Sequence, residues 1–189
     1  MWVERGAALR ARRILRLACK GIVGQVEGLS KMNDGAVVVQ ERSLAKGLLA
    51  GLIGGLAATA AKTLAEKVYP PRTHGEPEPP EVFAEKIAGR ELRPIEKTAA
   101  AETIHWGFGA AAGAAYGALA EFFPAATDKD GASFGLALAT LTHEGALPSM
   151  GLSAPPEEQT PREHTSEMAT HLVFGVVTET VRRFVRRLL

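Results

Sequence analysis

The sequence predicts an all-α fold, a four-helix transmembrane bundle in up-down order, on three observations. Long stretches lack charge: residues 47–61 and 103–120 contain no Asp, Glu, Lys or Arg, and residues 131–156 contain only Glu144. Glycines recur at four-residue spacing inside two of these stretches, and prolines crowd the segments between them. A helix in water needs a polar face, and each interior Gly costs it roughly 1 kcal/mol relative to Ala. In lipid the backbone must satisfy its hydrogen bonds internally, and small residues four apart let helices approach closely.

Residues 1–43 form a basic N-terminal extension. "RGAALRARRILRLACKGIVGQ" is only loosely amphipathic, and Lys20 interrupts what would be the apolar core of a signal peptide, so cleavage is not expected. The segment suits an anionic membrane surface; the other reading is that residues 1–31 are surplus before Met32. The membrane domain spans 44–187. Its first helix, about 44–68, carries Gly47, Gly51 and Gly55, and its second, about 99–123, carries Gly109, Gly113 and Gly117. The third is expected at about 132–148 and the fourth at about 166–187. The fourth is the weakest span, because "MATHLVFGVVT" gives only a short uncharged run before Glu179, whereas a spanning helix needs about 20 residues. Three connectors separate the helices: "PPRTHGEPEPPEVFAEKIAGRELRP" with a short amphipathic piece, the tight turn "PAATDKDG", and "PSMGLSAPPEEQTPREHTS". Repeated Pro excludes helix interior from them.

Charge sets orientation and partners. Lys and Arg gather around the N-terminal segment and in the C-terminal "RRFVRR", which directs both termini to the cytoplasm in a multi-pass inner-membrane protein. A formal net charge of +1 over 189 residues gives no reason to expect nucleic acid. The expected partners are the lipid bilayer and, through the glycine stripes, a homo-oligomer. A single cysteine, Cys19, excludes a disulfide framework and a multi-Cys metal site.

The up-down order brings one set of ionisable residues to a common end. Lys62 and Glu66 close the first helix, Glu102 and His105 open the second, His143 and Glu144 close the third, and Glu167 and His171 open the fourth. The spacings of three or four residues put each of the pairs Lys62/Glu66, Glu102/His105 and Glu167/His171 on one helix face. Ionisable groups in a membrane tend to face the bundle interior. His105, His143 and His171 are therefore expected to be near neighbours at the outer end of the bundle, with His74 in the loose connector.

The same residues carry a resemblance. "KTLAEKVYPPR" (62–72), "HWGFGAAAGAAYGALAEFFP" (105–124), "HEGALPSMGLSAPP" (143–156) and "SEMATHLVFGVVTETVRR" (166–183) resemble the YagU family of bacterial inner-membrane proteins, a domain of unknown function associated with acid tolerance. The likeness covers about residues 44–183, departs from the family in a shorter first connector and the N-terminal extension, and supplies no catalytic residues. It implies location, topology and a role in acid or envelope stress.

Three functional readings follow. In the first the eight ionisable residues form a proton-responsive cluster, since histidine changes charge near pH 6.5, and no cofactor or catalytic group is required. In the second, histidines and carboxylates ligate a transition metal or two histidines hold haem, giving a membrane redox protein. In the third the chain is a structural oligomeric scaffold. "ETIH" matches one half of a carboxylate-bridged di-iron motif, but a second copy is missing.

Overall fold

The structure, a computed structural model, describes residues 41–72 and 75–189. The expectations for residues 1–40 and for His74 lie outside the described residues. Every element in the described part is helical. Helix α1, Leu44–Val68, starts where the Ser43 hydroxyl accepts from the Lys46 N–H (3.4 Å) and ends before Pro70 and Pro71. Within the Pro-rich connector, Pro79 and Pro80 start the ten-residue helix α2, Pro79–Ala88, and Gly89 ends it with a left-handed φ of 64°. Helix α3, Pro94–Phe122, begins five residues earlier than the uncharged run suggested. Pro94 needs no N–H partner at the first position, and Glu96 accepts from both the Arg93 N–H (3.1 Å) and its guanidinium (2.7 Å).

The chain reverses in Pro124–Gly131, where Lys129 and Asp130 adopt φ of 52° and 55° and Arg183 holds Asp130 at 2.8 Å. Helix α4, Ala132–Ala139, then widens into a π-helical stretch, Thr140–Ala146, before a last turn at Leu147–Ser149. The cause is in the sequence. Pro148 has no N–H for the Glu144 carbonyl and its ring crowds that oxygen, and the Leu147 N–H bonds instead to the Thr142 carbonyl five residues back. Helix α5, Pro161–Leu188, is capped by the Thr160 hydroxyl on the Glu163 N–H (3.1 Å) and likewise starts five residues before the expected point.

Glycine sets the packing. Helices α1 and α3 run antiparallel with their stripes face to face: Gly47 meets Gly117, Gly51 meets Gly113 and Gly117, and Gly55 meets Gly109 and Gly113. A Cβ on Gly55 would stand 2.9 Å from the Gly113 Cα, and one on Gly51 2.7 Å from the Gly117 Cα. The stripes thus join two helices of one chain. A second glycine seam joins α4 to α5, where Gly135 abuts the His171 carbonyl and Gly175 the Gly135 Cα. Gly54 faces the Thr178 carbonyl and brings α1 against α5.

Burial is inverted relative to a water-soluble bundle. Beside Tyr116, Phe174 and Leu152, the buried residues are mostly alanines such as Ala50, Ala58 and Ala139, glycines, threonines and ion-paired side chains, whereas Leu48, Leu52, Leu56, Phe108, Leu136 and Leu172 point outward. Buried Thr59 and Thr178 donate to the carbonyls four residues back, at 2.8 and 2.7 Å, so they bury without an unsatisfied hydroxyl. Among the described residues α1 is the one helix long and apolar enough to cross a membrane by length and composition.

Candidate functional site

Two layers of ionisable groups sit at opposite ends of the helices, separated by an aromatic layer in which Tyr116 stacks on Phe134 at 4.3 Å and Phe134 lies 6.2 Å from Phe174. At the end near both described termini, fully buried Glu179 accepts from the Tyr116 hydroxyl (2.9 Å), Arg182 (2.7 and 2.8 Å) and Arg183 (2.6 Å). Arg186 pairs with Glu121. Both oxygens of Glu179 are filled and its charge is matched, which describes a structural lock.

The other end is built differently. Lys62, the last buried residue of α1, pairs with Glu66 four residues on and stands 3.6 Å from Glu167. Arg72 reaches back across the helix ends because its segment is tied down. Ser166 donates to the Tyr69 carbonyl at 2.5 Å, Arg162 donates to the Pro70 carbonyl at 3.1 Å, and the Arg162 guanidinium lies over the Tyr69 ring. From there Arg72 contacts Glu78, Glu163 and Glu167 at 3.2, 3.2 and 3.3 Å.

Glu167 is the hub. Its side chain is 3 % exposed and faces two imidazoles, His143 at 3.2 Å and His171 at 3.6 Å, whose rings meet edge to face with centroids 4.9 Å apart. The π-helical stretch carries His143 to this point, and the Gly135 seam holds α4 close enough for it. His171 Nδ1 lies 2.9 Å from the Glu167 backbone carbonyl. Donation there makes Nε2 the lone-pair atom. Glu167 Oε2 is buried and accepts no hydrogen bond of acceptable geometry, although three nitrogens surround it. A cavity of about 300 Å³ opens beside these groups, with Ile104, Phe108, Leu138 and Leu147 among its apolar walls.

Of the eight residues expected in one layer, Lys62, Glu66, His143, Glu167 and His171 are gathered here, and His105 lines the same cavity while its Nε2 meets the Thr63 hydroxyl at 3.3 Å. Two expected members turn elsewhere. Glu102 accepts from the Trp106 indole (3.0 Å), and Glu144 pairs with His164 (2.9 Å). The sequence reading assigned no role here to Arg72 or Glu163. The only hint of Arg72 was its fixed distance past Lys62 and Glu66 in a Pro-Pro-Arg sequence.

His164 lies in the first turn of α5, outside the proposed spans, and fastens the connector by also bonding the Pro156 carbonyl at 2.9 Å. That carbonyl, then Glu144, raises its pKa above the ordinary histidine value. A raised folded pKa means that this contribution to stability is complete below the unfolded value, roughly 6.5, and is lost as pH rises through the folded one. An NMR titration of His164 is expected to give a midpoint above about 6.5, moving down in Glu144→Gln. A wild-type midpoint at or below the unfolded value would refute the fastening role.

These features define a chain whose described elements are all helical, with one sealed ionic layer and one polar chamber that opens on a cavity. The chain belongs to the family described as protein of unknown function (DUF1440), whose model matches residues 56–180. The match contains the whole chamber. No curated protein and no solved structure matches the chain.

Proposed function

We propose that this is a multi-pass membrane protein that holds a divalent transition-metal ion between His143, Glu167 and His171. The observation that carries the proposal is that each of these residues offers a ligand atom within 4.8 Å of the other two. A point within about 2.8 Å of all three therefore exists, and inward shifts of about 0.6–0.8 Å per ligand would reach the ~2.0–2.2 Å of zinc bonds to nitrogen and oxygen. Charge favours a cation. Lys62 and Arg72 are shared among four carboxylates, Glu66, Glu78, Glu163 and Glu167; with neutral imidazoles the chamber retains negative charge that a divalent ion offsets. The ion would also satisfy Glu167 Oε2. Haem suits the site poorly, because imidazoles in edge-to-face contact leave no gap for a macrocycle between them.

The inverted burial supports the membrane setting for all four long segments. At 1.5 Å per residue the 25, 29 and 28 residues of α1, α3 and α5 each exceed the ~30 Å of a hydrocarbon core. Their inward charges are paired, as charges at membrane depth must be. The basic residues near both termini favour a cytoplasmic location for those ends, with the chamber facing outward. The likeness to the YagU family supports an inner-membrane address and a role in acid or envelope stress.

The test is purification from membranes that resist alkaline carbonate, followed by elemental analysis. Wild type is expected to carry about one metal ion per chain and His171→Ala less than about a tenth of that. Reporter fusions at Gly151 and at the C-terminus should report opposite sides, the latter inside. Metal-free protein that also refuses added zinc or cobalt would defeat the metal reading and leave the proton-responsive account of the same histidines. Extraction by carbonate alone would defeat the membrane setting.

A further inference from the structure

The bundle is closed on three sides and open on the fourth. Helix α1 packs along α3 and α5, and α5 packs along α4. Between α3 and α4, among the described residues, the Tyr116–Phe134 stack is the aromatic bridge, and beyond it toward the chamber the two helices are spread apart by the cavity. Ile104 and Phe108 line one wall from α3, Leu138, Ala146 and Leu147 line the other from α4 and its π-helical extension, and Phe83 of α2 and Leu152 line it as well. Phe108 and Ala146 are exposed and so mark the mouth. Leu136 and Leu141 are also exposed on the outer surface of α4 and its π-helical extension.

The depth of the cavity is polar. His143, Glu167 and His171 form part of its wall together with Lys62 and Arg72. An ion held by the three ligands keeps an open coordination position, as metal sites with three protein ligands do, and the cavity is where that position is reached. At about 300 Å³ the space lies at the lower end of the roughly 300–1,000 Å³ typical of organic-ligand pockets.

Resting on the metal reading, we infer that the cavity admits a lipophilic small molecule bearing an oxygen-donor head group. It enters sideways between α3 and α4, lays its apolar body against Phe108, Leu138 and Leu147, and presents the oxygen to the ion. The apolar walls, with Phe108 and Ala146 exposed at the mouth, select against a water-borne polar ligand. The ion at the inner end selects against a molecule without a donor atom.

Cobalt(II) gives the experiment an optical readout, since its visible bands change when a ligand joins the ion. Cobalt-loaded wild-type protein in detergent is titrated with decanohydroxamate and with acetohydroxamate, which share a head group and differ in the tail. Decanohydroxamate is expected to shift the bands with at least a tenfold lower midpoint. In Leu138→Trp, which narrows the cavity at a residue that is not itself a ligand, that advantage should fall to less than about twofold while the cobalt bands persist. Partition of the tail into detergent is the same for wild type and Leu138→Trp, so the change in advantage between the two proteins is free of it. Equal midpoints for the two probes, or an advantage unchanged in Leu138→Trp, would overturn this inference and leave the metal site standing. Absence of cobalt bands in the wild type would overturn the metal reading and this inference with it.

Discussion

Gly113→Leu is expected to remove most of the folded protein that can be extracted in detergent. The reason is backbone proximity. A Cβ at Gly113 would stand 2.5 Å from the Gly55 Cα and 2.7 Å from the Gly55 nitrogen, with the Gly51 carbonyl closer still. None of these atoms belongs to a side chain that can rotate away, so α1 and α3 must separate along the seam that carries the bundle. Overpacking in cores typically costs 1–3 kcal/mol where side chains adjust; here a cost of about 3 kcal/mol or more is expected, against a typical total stability of about 5–15 kcal/mol. Gly107→Leu is the matched control, because nothing lies within 4 Å of a Cβ there. Thermal unfolding followed by size-exclusion chromatography should leave Gly107→Leu near wild type and Gly113→Leu largely aggregated. Similar behaviour of the two variants would mean that the seam does not hold the helices together.

How much of this was legible beforehand depends on the kind of interaction. The glycine stripes declared themselves, because glycine at fixed spacing in an uncharged helix has little use other than close approach. Their destination was less legible: spacing cannot distinguish a second helix of the chain from a second copy, and the structure joins Gly51 to Gly113 within one chain. Helix starts were misread by five residues at Pro94 and Pro161, since the absence of charge was taken as the boundary while proline at the first helical turn and a cap set the true one. In the chamber, Glu167 with His171 was readable from the four-residue stride, which keeps both on one face of α5. His143 needed the π-helical turn, a consequence of Pro148 whose direction spacing alone does not give. Glu144 and Glu102 lie at the same helix ends but outside the main cavity: Glu144 pairs with His164, and Glu102 accepts from Trp106 in a neighbouring recess that Glu66 and His105 also line. Arg72 lies beyond the end of α1, where no helical period applies, and its return to Glu167 depends on Tyr69 and Ser166 fixing the turn.

The two buried carboxylates of α5 offer the sharpest separation of structure from function. Glu167 and Glu179 have the same chemistry, the same helix and similar burial, at 2 % and 0 % exposure. Their surroundings differ: Glu179 has both oxygens filled by Tyr116, Arg182 and Arg183, while Glu167 keeps an oxygen without a hydrogen bond beside two imidazoles. Glu179→Gln is therefore expected to leave metal content unchanged and to destabilise strongly, by about 3–5 kcal/mol, the range for breaking a buried pair and stranding its partner. Two arginines lose their shared anion, and the amide offers a donor where only acceptors are wanted. Glu167→Gln should have the reverse profile. The remaining carboxylates Glu66, Glu78 and Glu163 continue to compensate Lys62 and Arg72, so the loss of stability should be smaller, while cobalt or zinc affinity should fall by at least about a hundredfold, beyond the 10–100-fold that follows loss of a mere outer-shell partner. Measuring both variants for unfolding temperature and for metal stoichiometry after equilibrium dialysis separates the cases. Equal metal affinity in Glu167→Gln and wild type would show that the carboxylate is not a ligand, and a matching loss of affinity in Glu179→Gln would assign both effects to a general loosening of the helices.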